Sequence, residues 1–318
     1  MKLFETMVSE EKQNATTAIN KHSNIAVREN DYHANVNSLT SINLLDEKEV
    51  EKAKAFLTQV MRSNKGGLKT VEDGFAMIMR AQDLKLPFST CLEHVHVVNG
   101  KTGVDIHVIK ALLLRAGTIT WECTKDYVPL YEYTDGNSVY VEDKLPSYCI
   151  KCKSKKEADA KNKEAIDNGT DDLYVYPVMY FKGYDNNIYK SYQWHPALAV
   201  ALNNVHAAEL QKAGKVPVFR IPNQPIDYVT EYTFKRKING TEMTATSKFT
   251  YSEAVAADLF SKDTYAKYGR ILIGHRAFTY GARDIASDML FGVMETTELK
   301  VVNNLDIDEA DVIDITNA

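Results

Sequence analysis

Residues 231–284 read EYTFKRKINGTEMTATSKFTYSEAVAADLFSKDTYAKYGRILIGHRAFTYGARD. Two periodicities meet here. Up to Thr250 side chains alternate around Asn239-Gly240, the dipeptide that favours a tight hairpin turn. On such a hairpin Tyr232, Phe234 and Arg236 share one face and Lys235 and Lys237 the other, with Lys248 on the return strand. Thr250 and Glu253 then form a capping box opening a helix. A longer helix follows, in which Ile271, Gly274, Phe278, Ala282, Ile285 and Met289 fall into one stripe at 3.6-residue spacing. A hairpin followed by a long helix with an apolar seam is an α+β arrangement.

The long helix is also cationic: Lys267, Arg270, Arg276 and Arg283 lie along it. Arg276, Tyr280 and Arg283, spaced four and three apart, are neighbours on a helix surface and are expected opposite the seam. Guanidinium forks onto phosphate and stacks on flat rings. With a tyrosine between, these groups suit the backbone and bases of a single nucleic-acid strand. The plainer alternative is a solvated polar face.

Residues 1–44 are polar and weakly periodic and are expected to form a mobile arm. Asp46 with Glu49 opens a helix through about Ser63. Thr70 with Asp73 opens another through about Asp83, with Phe75, Ile78, Met79 and Gln82 along one side. Pro87 breaks the chain. HVHVV alternates, Asn99-Gly100 is a turn, and a helix runs from Asp105 to Ala116 with Gly117 as its stop. Beyond it TITWEC reads as a strand, Asp135-Gly136 as a hairpin turn, and SYCIKCK as a short strand. Residues 154–171 give a highly charged helix with almost no apolar face, expected to project into solvent as an insertion. DLYVYPVMYFKGYDNNIYKSYQW gives two strands, and helices are expected near 196–204 and 205–213. The whole reads as antiparallel hairpins and meander packed with long helices, one core over 45–300.

The chain has 318 residues, 44% of them hydrophobic, and a formal charge of −5. After Lys300 there is no Lys or Arg, while Asp306, Asp308, Glu309, Asp311 and Asp314 follow. Without those acids the remainder is neutral, and a neutral body can carry a basic groove. Residues 301–318 are expected to be an acidic disordered tail. The N-terminus has no apolar leader and no apolar run approaches ~20 residues, so the expected location is cytoplasm, with no membrane partner.

Cys149-x-x-Cys152 has zinc-knuckle spacing without a second pair, so the cysteines are expected to be structural. His94 and His96, expected on one strand face, with Asp105 and His107 after the turn, are the materials for a metal-dependent enzyme as an alternative. No phosphate-cradling loop, dinucleotide fingerprint or nucleophile elbow is present. ATP use, a cofactor and a catalytic set are therefore not expected.

Two blocks together resemble the RecT family of phage single-strand annealing proteins. Met79–Gly117 has the family's order of helix, Leu-Pro break, strand ending in Asn-Gly-Lys and helix closing on Arg-x-Gly. Phe249–Leu299 is similar to its aromatic-Pro-Arg-Arg helix and acidic exit, with Tyr268, Arg270, Arg276, Ala277, Ala282 and Asp284 at the matching positions. Gly269 stands where the family usually has proline, and Ile271 where it often has a second arginine. The resemblance implies an ATP-independent recombinase that binds single-stranded DNA and anneals complementary strands into a duplex. It would act as a ring or helical filament of identical subunits in a bacterial host, beside a phage exonuclease and the host single-strand-binding protein. Arg276, Tyr280, Arg283, Arg270, Lys267, Lys235, Lys237, Lys248 and Arg115 would line the strand path. A phage structural protein without DNA binding is the remaining alternative.

Overall fold

Local signals organise the first half of the chain. The computed structural model describes residues 42–62, 67–195, 197–222 and 224–312. It is mixed α+β with mostly antiparallel sheets. The chain divides into two compact units, Met1–Thr102 and Gly103–Ala318, where the sequence suggests one core over 45–300. Most of the expected N-terminal arm lies outside the described residues.

In the first unit, α1 (Glu47–Met61) begins at Asp46, whose carboxylate accepts the Lys48 and Glu49 N–H groups. The Thr70–Asp73 capping box opens α2 (Val71–Leu84). Its buried face is Gly74, Met77, Ile78, Ala81 and Leu84, while Met79 is 46% exposed. That face is rotated from the Phe75–Met79 side expected. Gly74 sets the rotation: a Cβ there would lie 2.6 Å from Cδ2 of the fully buried Leu57 of α1. Pro87 precedes α3 (Phe88–His94), and β1 (Val95–Val98) turns through Asn99 and Gly100, both at positive φ, into β2 (Lys101–Val104). His94 therefore closes a helix and does not share a strand face with His96.

The second unit starts with α4 (Ile106–Ala116), capped by Asp105 and ended by Gly117 at φ 64°. β3 (Ile119–Leu130) follows. The chain then leaves on a long excursion of two four-stranded sheets. The first has order β5-β4-β7-β6, from β4 (Glu132–Thr134), β5 (Val139–Val141), β6 (Cys149–Lys151) and β7 (Leu173–Pro177). The charged helix α5 (Lys155–Asn168) is not a projection. It packs on this sheet through Ala158 and Ala165, and its Asn162 amide bonds the Tyr174 backbone in both directions. Two alanines make a narrow contact face that a search for large apolar residues overlooks.

The second sheet has order β10-β11-β8-β9, from β8 (Tyr180–Gly183), β9 (Ile188–Lys190), β10 (Leu198–Val200) and β11 (Val216–Ile221). Residues 173–190 thus give three strands, not two. The expected helix at 196–204 is instead β10, which pairs in parallel with Val216–Val218. That pairing overrides the local propensity of a short apolar run. α6 (Asn204–Lys212) is the one helix of the expected pair.

The excursion ends where Asp227 pairs with Leu130. β12 (Asp227–Ile238) lies between β3 and β13 (Thr241–Thr250) in an antiparallel sheet, with Asn239 and Gly240 at positive φ in the turn. The Thr250–Glu253 capping box opens α7 (Tyr251–Ala256), and α8 (Asp263–Ile285) packs across the sheet. Phe278 is the anchor: its ring lies 5.5 Å from Trp121 and 5.3 Å from both Tyr232 and Phe234. Three edge or tilted aromatic contacts on a fully buried ring fix the helix to the register of β3 and β12. At Tyr268 (φ −123°, ψ 27°) α8 is kinked, one residue before Gly269.

α9 (Ser287–Leu290), β14 (Met294–Glu295) and α10 (Thr296–Val302) complete the fold, β14 pairing in parallel with Gly103 and Val104. The acidic segment after residue 301 is not disordered through residue 312. Lys300 bonds Asp308 and Asp311 at 2.7 and 2.5 Å, and the Thr264 hydroxyl donates to the Ile307 carbonyl. Residues 313–318, with Asp314, lie outside the described residues. Among the described residues no helix is long and apolar enough to cross a membrane.

Candidate nucleic-acid interface

The Arg276-Tyr280-Arg283 row does not form an open face. From Leu272 to Thr279 every residue of α8 is buried: the β12–β13 hairpin covers one side, α4 also packs on the helix, and α10 brings Glu298 to its arginines. Arg276 is 5% exposed, with Nη1 3.2 Å from Glu298 and Nε donating to the Tyr265 hydroxyl at 3.5 Å. Arg283 reaches the same carboxylate at 3.0 Å. Burial opposes the Arg276 charge, but Tyr265, Glu298 and Tyr280 outweigh it and hold the guanidinium above its ordinary range. Tyr280 is 39% exposed, with its ring against Phe249 and the Arg283 guanidinium 5.2 Å from its centroid. The row is an internal ion network with one tyrosine edge in solvent.

Three of the other expected cations are held by carboxylates as well. Arg270 pairs with Asp126, Lys267 with Glu309 at 3.2 Å, and Lys248 with Asp143 at 2.6 Å. Hydrogen bonding to Asp143 and Glu309 raises the Lys248 and Lys267 values respectively. Arg236, on the face it shares with Tyr232 and Phe234, is clamped. It donates to the Ile285 carbonyl at 2.9 Å and forks onto both oxygens of Asp288 at 2.6 and 2.7 Å. The guanidinium pulls the Asp288 carboxyl below its usual range.

The geometry brings two of the expected residues, Lys235 and Lys237, into one cleft. Gly117, Thr118, Thr120, Lys235, Arg236, Lys237, Gly240 and Glu242 line an open cleft of about 490 Å³. Lys235 and Lys237 are exposed, as the alternation predicts, and the Lys237 N–H donates to the Thr118 carbonyl at 3.0 Å. The exposed Arg115 lies two residues before Gly117. Within this cleft the lysines face one acid, Glu242, which is Lys237's strand partner. Ammonium groups, threonine hydroxyls and a glycine-flanked approach match a phosphodiester backbone. Thr118 and Thr120 were missed by sequence reasoning, and their signal was the alternation of TITWEC opposite a lysine strand.

Among the described residues no group of three His, Cys, Asp or Glu is placed to hold a metal ion. All four cysteines are free thiols, and burial pushes Cys91 up to about 12. Glu295, a buried acid of the C-terminal region, caps α10 by accepting from the Thr297 and Glu298 N–H groups, with His275 Nδ1 3.8 Å away. Burial raises it, against the pull of His275 and those donors.

Comparison of the chain with protein families, with curated proteins and with solved structures finds no match.

Proposed function

We propose that the protein binds single-stranded DNA and anneals complementary strands without nucleotide hydrolysis, as a multi-subunit assembly in phage or prophage recombination. The observation that carries this is the lysine–threonine cleft at the β3–β12 edge, where Lys235 and Lys237 stand exposed beside Thr118 and Thr120. The ordered resemblance of the Met79–Gly117 and Phe249–Leu299 blocks to the RecT annealing proteins supports it. In this mechanism lysines neutralise phosphates, bases stay free to pair, and pairing itself supplies the free energy.

The test is annealing of two labelled complementary oligonucleotides without ATP at low and moderate salt. Wild-type protein accelerates annealing, and the acceleration falls as salt rises. In Lys235→Ala and Lys237→Ala the slope of log binding constant against log salt flattens by about 0.7 each, one lost contact on a single strand. No single-strand binding at low salt would refute the function. Binding with an unchanged slope in both variants would move it away from this cleft.

A further inference from the structure

Seven residues along β3 from Thr120, the backbone does something costly. Tyr127 has φ 48°, a left-handed conformation that is an outlier for a bulky side chain. It sits at a register shift of the β3–β12 pairing, where Asp126 and Tyr127 stand opposite the single residue Thr230. The Thr230 hydroxyl holds its N–H at 3.2 Å. Outliers of this kind persist where surroundings enforce them and cluster at ligand sites. Here the strain places the Tyr127 ring flat on Tyr228, centroids 4.6 Å apart and planes 9° off parallel.

Both rings stay half-exposed. Each gives one face to the other. Thr250 is the strand partner of Val229, so Tyr251 follows on beside Tyr228, and burial, Tyr228 and Tyr251 together raise the Tyr127 hydroxyl. Tyr251 is 37% exposed and backed by Phe260 at 4.6 Å. The neighbour of Tyr127 in sequence, Asp126, holds Arg270, and the side chains of that pair are 38% and 46% exposed. An exposed ion pair is weak and screened, so a phosphate can take the guanidinium from it.

We propose that Tyr127 and Tyr228, with Tyr251 beside them, form a stacking site for an unpaired nucleobase, and that Arg270 takes the adjoining phosphate. This rests on the DNA-binding function above and adds a base contact to it. The lysine cleft and the tyrosines lie about 20 Å apart along one strand at ~3.3 Å per residue, a span for a short single strand.

The experiment compares a labelled (dT)20 oligonucleotide with an abasic strand of the same length, which has the phosphates and no bases. Wild-type protein prefers (dT)20 by about 5- to 150-fold, the value of one stacked base. Tyr127→Gly removes the ring while suiting the positive φ, so the fold is kept, and the preference collapses towards one. Tyr127→Phe keeps the preference. In wild type, photocrosslinking of a bromodeoxyuridine oligonucleotide labels Tyr127, Tyr228 or Tyr251. Equal binding of both strands, a preference that survives Tyr127→Gly, or crosslinks confined to other residues would overturn the stacking site and leave DNA binding standing. If neither strand binds at low salt, the underlying function fails and the site with it.

Discussion

Two glycines on α8 should respond to the same substitution with opposite sign. Gly→Ala in a helix interior gains about 1 kcal/mol, from propensity and from a less flexible unfolded chain. At Gly274 an added Cβ meets no atom within 4 Å, so the full gain of about 1 kcal/mol is expected. At Gly281 the Cβ would lie 2.2 Å from Cε2 and 2.6 Å from Cδ2 of Phe234, and 2.9 Å from Cβ of Ser247. Phe234 cannot retreat: it is fully buried and held by Phe278 and Tyr232. Overpacking of this kind costs about 1–3 kcal/mol, and a contact more than 1 Å too short belongs at the upper end. Gly281→Ala is therefore net destabilising by about 2 kcal/mol, and the two variants differ by about 3 kcal/mol. Subtracting one from the other removes the shared unfolded-chain effect. Urea unfolding followed by tryptophan fluorescence reads the difference, since Trp121 packs against Phe278. A Gly281→Ala protein as stable as Gly274→Ala would refute this account of how α8 sits on the hairpin.

Other outcomes follow from the charged groups. Arg276→Met is expected to lower stability by about 2 kcal/mol, less than a fully stranded buried charge because Arg283 still pairs with Glu298, and to leave the DNA salt slope alone; a flatter slope in a folded variant would show a phosphate contact instead. Glu298→Gln should cost more in the same urea assay, since one change removes the partner of two guanidiniums. The depressed Asp288 value means its pairing with Arg236 stabilises above about pH 4 and the benefit drains away as pH falls through the lower folded value. Asp288→Asn then weakens the protein at pH 7 and not at pH 2, by about 1 kcal/mol or less given its exposure. Lys300→Met should free the 306–312 segment, read as new cleavage there in limited proteolysis with mass spectrometry.

What the sequence made legible was whatever a few neighbouring residues decide. Thr70 with Asp73, Thr250 with Glu253, and the Asn-Gly turns at 99 and 239 are local hydrogen-bond and dihedral facts, and the structure has them all. The alternation of residues 232–237 likewise put Tyr232, Phe234 and Arg236 on one face, which is buried, and Lys235 and Lys237 on the other, which is exposed. Arg276 was misread because its carboxylate, Glu298, arrives from another helix. A helical wheel sorts residues by side but cannot say which sides will be covered. Asp126 and Asp143 escaped notice as partners of Arg270 and Lys248 for the same reason. β10 was misread because its pairing with β11 is made across α6.

The pairing of Leu130 with Asp227 has a kinetic consequence. β12 and β13 are joined by a two-residue turn, so they can zip as soon as they are made. β3 can join them only after about a hundred intervening residues have been drawn together, and that closure entropy comes before any contact rewards it. The last strand to dock in the central sheet is thus one of the first synthesised. Until it docks, β12 has a bare edge and Phe278 lacks Trp121, so the excursion sheets must condense early for the rest of this unit to finish folding.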